Sequence, residues 1–307
     1  WSARDFELGP RLGAGSFGAV RLARERASGA QVALKLLKKR RLERLAVQRY
    51  VAHEIEIQGH LRHPNILRMF GFFWDASCIY MILECAQGGN LHQLLHEQPG
   101  QRFDEESAAR LVAQALDALR YCRRLHVIHR DVKPENFLLA AVGSRQLRLS
   151  DFGWAVHALP GQRRWTLCGT LDYLPPEMVA GKVYNEAADV WSVGVMLYEF
   201  VVGVPPFETA GDAVRTYDKI TGGDLEFPDY VSEGAQDLIR RLLCRDPRQR
   251  LPLSAALEHP WIVGHMEELM AGVPEVVVNA PSADEIRRAR EEAEAQAAAQ
   301  AAAAEEA

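Results

Sequence analysis

His129-Arg130-Asp131-Val132-Lys133-Pro134-Glu135-Asn136 is the stretch on which the reading of this chain turns. It puts three useful groups on one short loop. Asp131 is a carboxylate that can take a proton from a hydroxyl, Lys133 is a cation for a phosphate in transit, and Asn136 has an amide oxygen suited to a hard metal ion. An accidental match at four fixed positions is rare. Fifteen residues after Asn136, Asp151-Phe152-Gly153 supplies a second carboxylate, placed to hold magnesium against phosphate oxygens. Asp-Phe-Gly alone is common in turns, but in this order and at this spacing it joins a set.

Upstream lies Gly13-Ala14-Gly15-Ser16-Phe17-Gly18-Ala19-Val20. Dinucleotide-binding folds use similar glycines but need a helix straight after them. Here Val20 and Leu22 alternate with small or polar residues, Ser28-Gly29 turns the chain, and Val32-Ala33-Leu34 continues as a strand. That context favours a flap whose backbone N–H groups approach phosphate with no Cβ in the way. A hairpin with incidental glycines fits the segment alone equally well. Lys35 ends the next strand, where a lysine could simply run its stem out to water. Glu54 falls on a helix expected over 46–61, with Val47, Val51, Gln58 and Leu61 on one face; a pair with Lys35 would hold the ammonium on the α- and β-phosphates of ATP.

Strands read over 6–37 and at Ile79–Leu83, and helices dominate afterwards. Asp104 suits the N-cap of a helix bearing Leu111, Ala115, Leu119 and Cys122, and 189–202 reads as a buried helix apolar nearly all round. The expected class is α+β, a small β-rich lobe before a larger helical one, joined near 84–90. Ser282 to Glu285 makes a capping-box pattern ahead of an Ala/Glu-rich tail that has Ile286 as its only large apolar residue; a solvated helix or frayed extension is expected.

Composition sets outer bounds. A chain of 307 residues can bury a sizeable core, and its net charge of -5, of which 282–307 carries -4, argues against direct nucleic-acid binding. Lys38-Lys39-Arg40-Arg41 reads as a solvated strand-to-helix linker rather than a nucleic-acid patch. Five scattered cysteines read as free thiols in a reducing compartment. The most apolar stretch, Val190 to Val204, is too short to span a bilayer and contains Ser192 and Glu199. Because the chain opens on Trp1 rather than Met, it is expected to be a processed or truncated product.

Taken in order, these motifs resemble the eukaryotic protein kinases over residues 6–262. The resemblance implies a bilobal fold with a small lobe at about 6–83, a hinge at 84–90 and a large lobe at about 91–262, followed by an extension over 263–307. It implies ATP and Mg2+, the nucleotide touching Leu12, Gly13, Gly15, Ser16, Gly18, Val20, Ala33, Lys35, Glu84, Cys85, Ala86, Glu135, Asn136 and Asp151, and the metal held by Asn136 and Asp151. Asp131, Lys133, Lys35 and Glu54 would carry the chemistry. It also implies a Glu177–Arg250 ion pair and an anchoring role for Asp189.

Lys133 and Thr170 resemble the serine/threonine class. His60-Leu61-Arg62-His63-Pro64-Asn65-Ile66-Leu67, Asp151 to His157 and Leu167-Cys168-Gly169-Thr170-Leu171-Asp172-Tyr173-Leu174-Pro175-Pro176-Glu177 resemble the Aurora family. That resemblance implies mitotic substrates with basic residues upstream of Ser or Thr, and an intracellular enzyme of nucleus or cytoplasm found on spindle, centrosome or centromere. Thr166 matches the activating phosphosite, its phosphate pairing with Arg130. Glu135 would accept a substrate arginine, and Asn90 stands where many kinases have an acid. Gln58 enters a column with Met69, His129 and Phe152 that is usually apolar, which implies reliance on phosphorylation or an activator unless a water satisfies it. A scaffold or spindle-factor peptide would dock near Phe70, Phe72 and Trp74, residues that could equally be core. A pseudokinase scaffold is the alternative, against which the presence of Lys35, Asp131 and Asp151 counts.

Overall fold

In the computed structural model, residues 1–15, 18–158, 166 and 168–270 are described. The described residues divide into two compact units, one of Trp1–His60 with Arg68–Ala86, the other of Leu61–Leu67 with those from Gln87 to Met270.

The first unit is an antiparallel sheet of β1 (Phe6–Gly15), β2 (Gly18–Glu25), β3 (Gln31–Lys38), β4 (Met69–Trp74) and β5 (Cys78–Leu83), in the order β1-β2-β3-β5-β4. Alternation gives the sheet two unlike faces. Phe6, Ala23, Val32, Leu34, Phe73, Tyr80 and Ile82 pack on one, with Phe73 stacked on Tyr80 at 4.6 Å. Between β3 and β4 run α1 (Lys39–Arg44) and α2 (Gln48–His60). The expected linker at Lys38–Arg41 is therefore mostly helix: Leu42, the lone apolar residue in the basic run, is 2% exposed and seats the turn. A register shift between Met69 and Gly71 separates the aromatics of β4. Phe70 turns to the cluster of Phe73, while Phe72 and Trp74 stay 45% and 65% exposed.

The second unit is mainly helical: α3 (Leu91–His96), α4 (Glu105–Arg124), α5 (Pro176–Val179), α6 (Ala187–Val202), α7 (Ala213–Gly222), α8 (Glu233–Leu242), α9 (Leu253–Leu257) and α10 (Pro260–Met270). Two short ribbons, β6 (Val127–Ile128) with β9 (Val156–His157) and β7 (Phe137–Leu139) with β8 (Leu147–Leu149), carry the loops of interest. Asp104 caps α4 by accepting from Ser107 N at 2.7 Å. Asn90 caps α3, its side chain accepting from Gln93 N at 2.8 Å while Gln93 Oε1 answers the Asn90 N–H at 3.2 Å. The core helix is α6, whose residues from Ala188 to Val201 are all buried. Among the described residues no helix is long and apolar enough to cross a membrane. The expected cap at Ser282 and the Ala/Glu-rich tail lie outside the described residues.

Candidate active site

In the first unit, strand register places the groups. Gly13 pairs with Val20, Val20 with Lys35, and Lys35 with Met81, forming a row across four strands. Ala33 precedes Lys35 by two, pairs with Leu83, and so shares that face. One side of the sheet is thus a greasy core and the other ends on a single ammonium. Lys35 Nζ meets Glu54 Oε1 of α2 at 2.6 Å, the side chains 14% and 3% exposed. The glycines differ in kind. A Cβ on Gly18 would stand 1.7 Å from the Leu36 carbonyl oxygen, so strand packing itself demands glycine there. A Cβ on Gly13 would meet nothing within 4 Å, leaving room for an approaching ligand. Leu12 is exposed, and Ser16 lies outside the described residues. Glu84, Cys85 and Ala86 follow β5; the Glu84 N–H is already committed, donating to Arg68 O at 2.8 Å. Gln58 and Met69 are 1% and 2% exposed.

In the second unit, pairing of Phe137 with Leu149 sets Asn136 and Ser150 abreast. Ser150 donates to Asn136 O through its N–H at 2.8 Å and its hydroxyl at 2.9 Å. His129 Nε2 donates to Ser150 O at 3.0 Å, which leaves Nδ1 to accept from Asp131 N at 3.3 Å. Asp151 follows in a left-handed conformation, φ 58°, exposed to solvent. Phe152 lies edge-on to His129 at 4.8 Å.

Asp131 is held on both oxygens. Oδ1 accepts from Thr170 Oγ1 at 3.0 Å, and Oδ2 accepts from Asn136 Nδ2 at 2.9 Å and faces Lys133 Nζ at 3.3 Å. Lys133 Nζ also donates to Thr170 Oγ1 at 2.5 Å. Asn136 Nδ2 donates in addition to Asp131 O at 2.7 Å, which turns Oδ1 the other way. Thr170 reaches this cluster because Gly169, at φ 103°, brings the backbone so close that a Cβ there would lie 2.7 Å from Arg130 O. Beneath, Asp189 of α6 accepts the N–H groups of His129 and Arg130, both at 2.8 Å. Burial pushes the Asp189 pKa up, against the pull of His129 and those two N–H bonds. Glu177 and Arg250 form a buried bidentate pair at 2.8 and 3.0 Å.

Other groups carried weaker sequence signals. Glu199, the second acid of apolar α6 after Asp189, accepts a hydrogen bond from the Tyr173 hydroxyl. Burial pushes its pKa to about 7, and the charges of Glu135, Asp172 and Glu208 add to the rise. Arg130 donates from Nε to Trp154 O at 2.6 Å and from Nη1 to the Tyr184 hydroxyl at 2.7 Å. Thr166 is exposed; Arg163, Arg164 and Trp165 lie outside the described residues. No group of three or more His, Cys, Asp or Glu that could hold a metal gathers among the described residues. Magnesium seated with nucleotide phosphates needs only one or two carboxylates, and the oxygen donors of Asp151 and Asn136 suit that hard cation.

A carboxylate steadied by a lysine and a threonine hydroxyl, on a loop anchored by a buried aspartate, is an arrangement that suits a protein kinase. The family profile for the protein kinase domain matches residues 6–262. Over 263 residues the chain is 52% identical to Aurora kinase A-A of Xenopus laevis, covering 86% of this chain and 63% of that one. It is 49% identical to Aurora kinase B of Danio rerio over 272 residues, 89% of this chain and 83% of the relative. It is 51% identical to the Aurora kinase of Schizosaccharomyces pombe over 262 residues, 85% and 72% of the two. The chain belongs to the Aurora kinases. It spans just under two thirds of the length of the two Xenopus A-type relatives, 63% and 64%.

Proposed function

We propose that the chain transfers the γ-phosphate of ATP to serine or threonine hydroxyls of proteins in mitosis, a reading that its membership of the Aurora kinases supports. The observation that carries the proposal is the Asp131 cluster, with both carboxylate oxygens fixed by Thr170, Asn136 and Lys133. In this reading Asp131 accepts the substrate hydroxyl proton and Lys133 neutralises charge growing on the phosphoryl oxygens. Lys35, steadied by Glu54, holds the α- and β-phosphates under the β1–β2 glycines. Asp151 and Asn136 Oδ1 would hold magnesium, which would supply positive charge against the phosphates. The adenine would lie against Val20 and Ala33 and use the backbone of Glu84 to Ala86.

Substrate choice rests on charge. Glu199 and Tyr173 adjoin the fields of Glu135, Asp172 and Glu208, a pool of carboxylates suited to arginine upstream of the accepting hydroxyl. Asn90 is spent on capping α3 and offers no charge there. Phosphorylation of exposed Thr166 would add charge near Arg130 and order the segment. An activator peptide would dock on the first unit, where a cavity of about 430 Å³ is lined by Lys39, Leu42, Val51, Ile55, Phe72 and Ile79. Phe72 of that lining stacks on exposed Trp74 at 6.0 Å, and the two would serve as aromatic anchors.

The test is transfer of labelled γ-phosphate to an arginine-containing serine peptide with magnesium. Turnover on the order of 1–100 s⁻¹ is expected for the Thr166-phosphorylated chain, lost in Asp131→Asn and in Asp151→Asn. Transfer that survives Asp131→Asn undiminished, or nucleotide binding without any transfer by the unaltered chain, would overturn the proposal.

A further inference from the structure

The Tyr184 hydroxyl has a place that the chemistry above leaves unused. It lies in the loop between α5 and α6, the ring 5% exposed and packed with Cys168, Leu174, Met178 and Ala188. The oxygen accepts from Arg130 Nη1 at 2.7 Å and donates to the Thr166 carbonyl at 3.2 Å, with the Cys168 thiol also in hydrogen-bond contact. Five residues on, Asp189 accepts the backbone N–H of the same arginine. The approach to α6 therefore grips Arg130 twice, by its backbone through Asp189 and by its side chain through Tyr184. From Tyr184 the grip runs one bond further, to the residue expected to carry the activating phosphate.

We propose that Tyr184 is a positioning residue that ties Arg130 to the Thr166 backbone in the unphosphorylated chain and so sets its basal phosphotransfer activity. The inference rests on the kinase reading above. A phosphate on Thr166 would pair directly with the remaining guanidinium donors of Arg130, since only Nε and one bond from Nη1 are committed among the described residues. The neutral link through Tyr184 is then redundant. Before phosphorylation it is the link to Thr166 seen among the described residues.

The experiment compares Tyr184→Phe in two backgrounds. Thr166→Ala keeps the carbonyl that Tyr184 holds and cannot be phosphorylated; the second background is the chain stoichiometrically phosphorylated on Thr166. Phenylalanine keeps the ring in its cluster and removes only the hydroxyl. The expected result is a kcat about tenfold lower in the Thr166→Ala chain, the size of one charge-assisted hydrogen bond, with ATP KM unchanged. In the phosphorylated chain the loss should be under about twofold. Equal loss in both backgrounds, or none in the Thr166→Ala chain, would overturn the proposal, as would a fall in melting temperature large enough to account for the loss. The kinase reading is judged separately, on the parent chains: transfer that depends on Asp131 keeps it standing whatever Tyr184→Phe does.

Discussion

Replacing Glu177 by alanine strands a buried cation, and the structure allows its cost to be worked out. The Arg250 and Glu177 side chains are 0% and 4% exposed and meet through two hydrogen bonds of 2.8 and 3.0 Å. Removing one partner of such a pair costs about 3–5 kcal/mol, because the survivor stays desolvated without its counter-charge. Arg250 keeps three consolations: Nη1 donates to Ala187 O at 2.6 Å, Nε donates to Cys244 O at 2.9 Å, and the guanidinium lies 5.1 Å from the Trp191 ring centre. Those contacts hold the expected loss near the low end, about 3 kcal/mol. Set against a domain stability of about 5–15 kcal/mol, Glu177→Ala still folds. At about 2–4 °C per kcal/mol for a unit of this size, the melting temperature falls by about 6–12 °C. Calorimetry and urea unfolding of the two chains measure it. A loss below about 1 kcal/mol in Glu177→Ala would refute the reasoning, because that is the worth of a solvated surface pair.

Further outcomes follow from single groups. Glu199 holds its proton to about pH 7 when folded but releases it near the ordinary carboxylate value when unfolded, so between those values the folded chain binds more protons and stability falls as pH rises. Glu199→Gln, permanently neutral, should flatten that slope in urea titrations from pH 5 to 7.5, and an unchanged slope would place the titration elsewhere. In peptide kinetics, a substrate arginine should bind better as Glu199 ionises; KM for an arginine-containing peptide should fall from pH 6 to 8, and Glu199→Gln should abolish the trend. Glu54→Gln removes the charge 2.6 Å from Lys35 and should cut kcat/KM for ATP by about 10–100-fold with little effect on unfolding.

What could be read from the sequence follows the range of the interactions involved. Caps and short motifs are local. Asp104 announces α4, and Asn90-Leu91-His92-Gln93 carries a capping-box pattern that a view of Asn90 as a missing acid passes over. Lys35 and Glu54 are nineteen residues apart but lie on elements of opposite period, a strand ending on a cation and a helix with an acid on its buried side. The β4 aromatics expose the limit of a period-two reading: one register shift sends Phe70 to the core and leaves Phe72 and Trp74 outside. Tyr184 has no local signature at all, being a single ring in a polar loop whose partners stand 54 and 18 residues away. The Tyr173–Glu199 bond is likewise invisible, although an acid well inside an apolar helix marks a position that must find a partner. The division has a physical cause. Phosphoryl transfer needs several groups in fixed order on short loops, so selection for it leaves a continuous motif. Regulation needs only that one side chain prefer one arrangement of those loops by the worth of a hydrogen bond, and any residue that tertiary packing brings within reach can supply it. Asp189 and Tyr184 make the point together: one in the first turn of α6 and the other in the loop before it, both grip Arg130, and only Asp189 lies in a stretch that resembles a known motif.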